Sequence, residues 1–252
     1  MISLLRKTLQ RTRFGSHIVE RAGLVKGVYT YHAKSSRRGT LDQAFNRQEG
    51  RQAIFRAVIQ AIDFQIILET GTYLGLTTAF MNHESGLPVR TTESNSRFYG
   101  FSKERFKKIP GITGQYSDSR AFLRSALDEI TSKDKPIFLY LDAHWNEDLP
   151  LLEEARIVFT KHPKSVLLID DFKVPTDSGY GYDDYGNGNT LHLEYFDPIS
   201  DMGFKAFFPT LPSEKETGAK RGCVILVNDP ELIETMRTLD VLQEYANEPA
   251  AD

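Results

Sequence analysis

Residues 66–78, Ile-Ile-Leu-Glu-Thr-Gly-Thr-Tyr-Leu-Gly-Leu-Thr-Thr, constrain the fold of this chain more than any other stretch. A short apolar run ends in an acid, Glu69, glycines follow at Gly71 and Gly75, and a helix-compatible segment continues. A buried parallel strand has this form where it turns tightly over a ligand into a helix. Gly71 opens backbone angles closed to other residues and lets the chain approach a bound molecule without a Cβ in the way. Gly75 permits close packing of the new helix on the sheet. A tight turn with no ligand carries the same spacing, so the rest of the chain has to decide between the two.

From Phe64 onward apolar runs alternate with helical patterns. Strands are expected at 65–69, 88–93, 111–115, 136–141, 164–169, 203–208 and 222–227, and helices at 76–83, 96–108, 119–132, 149–161, 189–201 and 229–237. Parallel strands need crossover connections, so this rhythm predicts an α/β fold with a doubly wound, mostly parallel, seven-stranded Rossmann-like sheet. Only residues 209–222 join the last two strands, with no helical pattern, which makes the final strand antiparallel. Ala53, Ile54, Val58 and Ile59 form one stripe of a helix over 49–62 that packs beside the first strand. The expected organisation is a basic N-terminal helical extension at 1–48, one domain at 49–240 and a tail at 241–252.

The extension stands out by charge. Residues 1–56 hold twelve Lys or Arg against three Asp or Glu, while the whole chain of 252 residues carries a net charge of -3. A basic arm before an acidic body is expected to pair with that body, in its own chain or in a homo-oligomer. Ile2, Leu4, Leu5 and Leu9 suggest a short amphipathic helix, and Tyr29, Tyr31 and His32 lie among basic residues. No nucleic-acid module surrounds them, so nucleic acid is not an expected partner. No apolar stretch reaches the roughly twenty residues that a membrane crossing needs, and no secretory pattern opens the chain; a cytoplasmic protein without stable membrane insertion fits best. The single cysteine, Cys223, excludes an intramolecular disulfide and lies in a strand-like run, as a buried structural thiol does.

In doubly wound sheets ligands bind at the carboxyl ends of the strands, and acids stand there repeatedly. The first strand ends at Glu69 and the second at Glu93, about twenty residues past the glycine turn, the interval of an acid that binds a ribose diol. Asp118 and Ser119 follow the third strand, where they also suit a helix cap. Asp142 and His144 follow the fourth, and Asp170 and Asp171 the fifth. Three converging carboxylates repel one another, and a hard divalent cation such as Mg2+ is the natural neutraliser. His144 adds a base or a ligand. The loop at 172–189, rich in glycine and tyrosine, has the length and composition of a lid or binding loop.

This pattern resembles the class I S-adenosylmethionine-dependent methyltransferases over roughly residues 50–230, through Glu69-Thr-Gly71-Thr-Tyr-Leu-Gly75, Glu93 and Asp118-Ser119. Asp142 with Asp170-Asp171 resembles the metal site of the cation-dependent O-methyltransferases of the catechol and sugar-modifying types. The resemblance implies that Glu69 and Gly71 contact the methionine part of the cofactor, Glu93 the ribose, and Asp118 and Ser119 the adenine. Thr72, Tyr73, Gly75, Thr77, Ser94 and Asp142 complete the implied cofactor set. It implies a Mg2+ or other divalent ion on Asp142, Asp170 and Asp171, with Asp142 and His144 as catalytic groups. His144-Trp145 departs from the usual continuation of the fourth strand, which leaves the base and the acceptor open.

The implied reaction is methyl transfer to a hydroxyl of a small molecule or sugar. A metal-independent methyltransferase and a non-catalytic assembly protein of the same fold stay as alternatives. A nicotinamide oxidoreductase lacks its Gly-x-Gly-x-x-Gly turn, because Thr72 and Tyr73 follow Gly71. On this reading a bulky residue at Gly71 abolishes cofactor binding and leaves the fold largely intact.

Overall fold

The computed structural model describes residues 13–144, 149–186 and 188–246. The expected helix around Ile2–Leu9 and the aromatic Trp145 lie outside these residues. The described residues begin with helix α1 (Arg13–Ala33), two 3-10 turns (Ser35–Arg37 and Leu41–Gln43) and helix α2 (Glu49–Ala61). The alternating body follows: β1 (Ile67–Thr70), α3 (Leu76–Ser85), β2 (Val89–Glu93), α4 (Ser96–Phe106), β3 (Ile112–Tyr116), α5 (Ser119–Glu129), β4 (Ile137–Leu141), α6 (Leu151–Lys161) and β5 (Ser165–Ile169). A 3-10 helix (Leu193–Met202), β6 (Lys205–Pro209), β7 (Val224–Val227), α7 (Pro230–Arg237) and β8 (Leu242–Glu244) complete it. The expected helix at 189–201 is thus a later 3-10 segment with Pro198 inside it, where a missing N–H donor disfavours the α form.

The sheet has the order β3-β2-β1-β4-β5-β7-β6-β8. Strands β1 to β5 pair in parallel, and β7 runs antiparallel to both β5 and β6, as the short connection requires. The expectation of seven strands is corrected to eight: β8, from the stretch expected as a tail, pairs antiparallel to β6. Three residues are too short to display a period in sequence.

Side chains alternate across each strand and so divide the core in two. Ile67, Phe138, Tyr140, Val166, Leu168, Ile225 and Val227 face one side, where α2, α3 and α7 contribute Phe55, Phe80 and Met236. Leu68, Leu139, Leu141, Leu167, Ile169 and Leu226 face the other, against Leu123 and Leu127 of α5 and Val158 of α6. Both faces of β4, Ile-Phe-Leu-Tyr-Leu, are buried, which is why its sequence is apolar without alternation.

The described part of the basic arm packs on its own chain. Helix α1 lies along α4 so closely that a Cβ on Gly27 would come within 2.1 Å of the Arg97 carbonyl oxygen, and one on Gly100 within 2.4 Å of the Leu24 carbonyl oxygen. Tyr31 packs edge-on against Phe101 at 5.2 Å between ring centroids, and His32 Nε2 lies 3.2 Å from Glu104.

Candidate active site

The chain leaves β1 toward β2 on one side and returns to β4 on the other, so the switch point of this sheet falls at the carboxyl ends of β1 and β4. There Asp142 N–H donates to the Thr70 carbonyl at 2.9 Å, and Gly71 and Thr72 N–H both donate to the Thr92 carbonyl at 3.1 Å. Gly71 takes φ +88°, and a Cβ on it would lie 2.1 Å from the Asp142 carbonyl oxygen. Its smallness therefore lets β1 and β4 close on each other, a use the sequence did not reveal. Gly75, at φ +72°, is packed against the Phe106 ring of α4, where a Cβ would come within 2.5 Å of the ring, and not against the sheet as expected. Tyr73, between them, is held at φ +48°, a left-handed conformation costly for an aromatic residue. Glu93 accepts its N–H at 2.7 Å and pins it there.

The expected cofactor acids take distinct positions. Glu69 is buried and accepts hydroxyls from Thr78 and Thr91, each at 2.5 Å, while Thr72 Oγ1 lies 2.5 Å from Thr91 Oγ1. With the Thr91 proton given to Glu69, Thr72 is the donor to Thr91. Desolvation pushes Glu69 up to about 8 against these two hydroxyls. Glu93 accepts the Tyr73 and Asn95 amides, one on each oxygen, and the Ser94 amide also stabilises its charge. Asp118 caps α5, accepting the Arg120 and Ala121 amides, and pairs with the Arg120 guanidinium at 2.7 Å. Ser119 is buried, and Ser94 is exposed.

A cavity of about 510 Å3 opens over this switch point, within the range of ligand sites. Gly71, Thr72, Tyr73, Thr77 and Asp142 line it; Glu69, Gly75, Glu93, Ser94, Asp118 and Ser119 stand outside its wall. Arg37, Arg47 and Arg105 line it too. Arg105 is fixed there by donating to the Leu74 carbonyl at 2.8 Å and to the Arg38 carbonyl at 2.5 Å. Phe45, Asn46 and Arg47, which bring the N-terminal segment over the cavity, are consecutive left-handed residues with φ between +51° and +65°.

At one end of the cavity Asp142 meets a second cluster. Ligand atoms of Asp142, His144 and Asp171 lie within 4.8 Å of one another. The buried His144 Nε2 has no hydrogen-bond partner among the described residues and faces Asp142 at 4.0 Å, with Asp171 and Asp183 at 3.9 Å each. An unpartnered nitrogen among carboxylates fits a metal ion. Desolvation raises Asp142 to about 7 against the pull of His144. Asp171 is lowered to about 2, where His144 and Arg221 outweigh its desolvation. Asp170, expected as a ligand, is not brought to this group: it points into the core and accepts from the buried Arg51 guanidinium, the Tyr140 hydroxyl and the Asp171 amide. Successive residues leaving a strand face opposite ways, and only one of two adjacent acids can reach the crevice.

Several participants lay beyond sequence reasoning. Asp183 and Tyr185 come from the tyrosine-rich loop, and the Tyr185 hydroxyl lies 2.5 Å from Asp183 and 3.0 Å from the His144 carbonyl oxygen. Arg221, from the loop before β7, donates to Asp171 at 2.6 Å and to Asp183. Arg51 of α2 also donates to the Arg221 and Gly222 carbonyls, which ties the acidic cluster to the N-terminal segment. Glu154 of α6 is buried, and desolvation raises it to about 7 against hydrogen bonding by Ser119. Cys223 is buried and its thiol is pushed up by desolvation, the opposite of an activated nucleophile.

Strand order, antiparallel β7 and the crevice over β1 and β4 define a Rossmann-like methyltransferase fold. An O-methyltransferase from Bacillus cereus, solved in complex with SAH, superposes with a TM-score of 0.52 at 16% identity, covering 82% of this chain and 90% of that one. The O-methyltransferase TomG from Streptomyces achromogenes, involved in tomaymycin synthesis and solved with SAM, gives 0.52 at 16% identity, over 81% and 88%. MtNAS, solved with MTA and tNA, gives 0.50 at 13% identity, over 90% and 75%. At these identities the likeness establishes the fold. No family model and no curated protein matches the chain.

Proposed function

We propose that this protein is a cytoplasmic, S-adenosylmethionine-dependent O-methyltransferase, assisted by a divalent cation, acting on a hydroxyl of a small molecule or sugar. The observation that carries the proposal is the double membership of Asp142. It lines the cavity over the glycine turn and belongs to the cluster whose buried imidazole nitrogen lacks a partner among the described residues. When bound, the cofactor supplies the methyl group and the cation lowers the pKa of the acceptor hydroxyl.

The residues of this chain supply alignment and proton handling. Residues 71–73 shape one wall, with Tyr73 fixed by Glu93. Glu93, at the end of β2 behind Tyr73, is the acid this scheme assigns to the ribose hydroxyls. Asp142, His144 and Asp171 hold the cation in this scheme, and Arg221 keeps the outer Asp171 oxygen occupied. Without a cation, Asp142, which desolvation pushes up to about 7, has the proton affinity of a base at neutral pH; with a cation it is a ligand and the proton goes to another group. Tyr185 anchors the glycine- and tyrosine-bearing loop beside the acidic cluster, a position from which a loop can exclude water. Alignment of this kind is the larger part of catalysis in an in-line displacement.

One observation favours a metal-independent enzyme of the same fold: Arg221 already neutralises part of the acidic cluster through Asp171 and Asp183. Transfer of a labelled methyl group from S-adenosylmethionine to a panel of glycosides and catechols separates the two. The proposal expects turnover with added divalent cation and its loss in chelator. Undiminished turnover in chelator removes the metal role, and absence of both turnover and cofactor binding removes the enzyme.

A further inference from the structure

An all-oxygen site is what a hard cation such as Mg2+ prefers, but the cluster at Asp142 includes a nitrogen. His144 has 2% of its side chain exposed, and its Nε2 has no hydrogen-bond partner among the described residues. The facing oxygens are Asp142 Oδ1 at 4.0 Å, Asp171 Oδ2 at 3.9 Å and Asp183 Oδ2 at 3.9 Å. None of the three comes within hydrogen-bond distance of the nitrogen, about 2.7–3.2 Å. The same gaps do not exceed twice a metal–ligand bond of about 2.0–2.2 Å, so one ion can touch both ends.

The remaining acceptors are occupied in a way that selects the inner atoms. Arg221 Nε donates to Asp171 Oδ1 at 2.6 Å and its terminal nitrogen to Asp183 Oδ1, so both carboxylates turn their other oxygens inward. Asp183 Oδ2 already accepts from the Tyr185 hydroxyl at 2.5 Å, and Asp183 is not among the ligand atoms that lie within 4.8 Å of one another. Asp171 holds a left-handed φ of +53°, which aims its side chain at His144 and not along the strand direction of Asp170. Asp142 Oδ1, Asp171 Oδ2 and His144 Nε2 remain.

We infer that these three atoms form a one-nitrogen, two-carboxylate site that takes a transition-metal dication such as Mn2+ in preference to Mg2+, with His144 as a ligand and not the proton acceptor. This rests on the cation-assisted part of the function proposed above. Imidazole favours borderline ions over Mg2+, and two carboxylates balance the charge of one dication. The role of base then passes to a group outside these three.

The test uses metal-free full-length protein titrated with Mn2+ and followed by electron paramagnetic resonance, with Mg2+ as competitor. One Mn2+ is expected per chain, bound on the order of 100-fold more tightly than Mg2+, with 14N coupling from a ligating imidazole. His144→Ala is expected to abolish the nitrogen coupling and most of the preference. Should that variant not fold by circular dichroism, the wild-type nitrogen coupling decides alone. Comparable affinities for the two ions, or bound Mn2+ without nitrogen coupling, overturn the inference and leave cation assistance standing. Binding of neither ion, with S-adenosylmethionine still bound, removes cation assistance as well.

Discussion

A methyl group added at Gly71 would meet the Asp142 carbonyl oxygen at 2.1 Å and the Ala143 nitrogen at 2.9 Å, both backbone atoms that cannot step aside. Gly71→Ala therefore acts on the seam between β1 and β4 and not on the ligand alone, contrary to an intact fold with a blocked site. We expect a loss of about 1–3 kcal/mol in urea unfolding, together with weaker cofactor binding; a wild-type midpoint would show that the seam has slack. Buried carboxyls give the molecule a pH signature. Desolvation holds Glu69 at about 8, and Asp142 and Glu154 at about 7. In the unfolded chain they titrate near 4. Between these values the folded state keeps protons that the unfolded state has lost, so their contribution is whole below pH of about 4 and is lost as pH rises through 7 to 8. The thermal midpoint is expected to fall from pH 5 to pH 8. Glu69→Gln, whose carbonyl oxygen still accepts from Thr78 and Thr91, should flatten that fall; an equal slope in both proteins would remove Glu69 as its source.

At the level of elements, α1 shows why the N-terminal extension is hard to read in sequence. Its contact with α4 is made through Gly23, Gly27 and Gly100, which allow backbone to approach backbone. In sequence such glycines signal loops and helix breaks, and the apolar stripe that ordinarily announces a packed helix is missing. Gly27→Leu is expected to lift α1 off α4, exposing its basic residues to rapid tryptic cleavage while the sheet keeps its far-ultraviolet spectrum. Unchanged cleavage would mean that the helix is held elsewhere. The Arg51–Asp170 pair joins α2 to the end of β5 in full burial. Arg51→Ala leaves Asp170 without its guanidinium partner and should cost about 3–5 kcal/mol in denaturant unfolding, with a loss below about 1 kcal/mol contradicting a structural role for the pair. The strands were legible for the converse reason: β4, β5 and β7 are covered on both faces, and continuous apolar runs between polar turns are the direct consequence.

For the whole molecule, the carboxyl-end edge was legible because topology carries every parallel strand end to it, so Glu69, Glu93, Asp142 and Asp171 could be placed from order alone. What topology leaves open is which of two neighbouring residues turns inward, and Asp170 and Asp171 divide there between core and crevice. Asp183 and Arg221 arrive from loops without periodicity, and no spacing in the sequence joins them to Asp171. The N-terminal segment likewise reaches the cavity only through three-dimensional folding, and it brings Arg37 and Arg47 with it. These parts meet at the β1–β4 switch point, whose crevice we propose as the cofactor site. Calorimetric titration of S-adenosylhomocysteine into the wild type and Glu93→Gln tests this assignment. The expected result is one site per wild-type chain and at least about tenfold weaker binding in the folded variant, because a carboxylate that accepts ribose hydroxyls is replaced. Absence of binding by the folded wild type, or equal affinity in the two proteins, would contradict it.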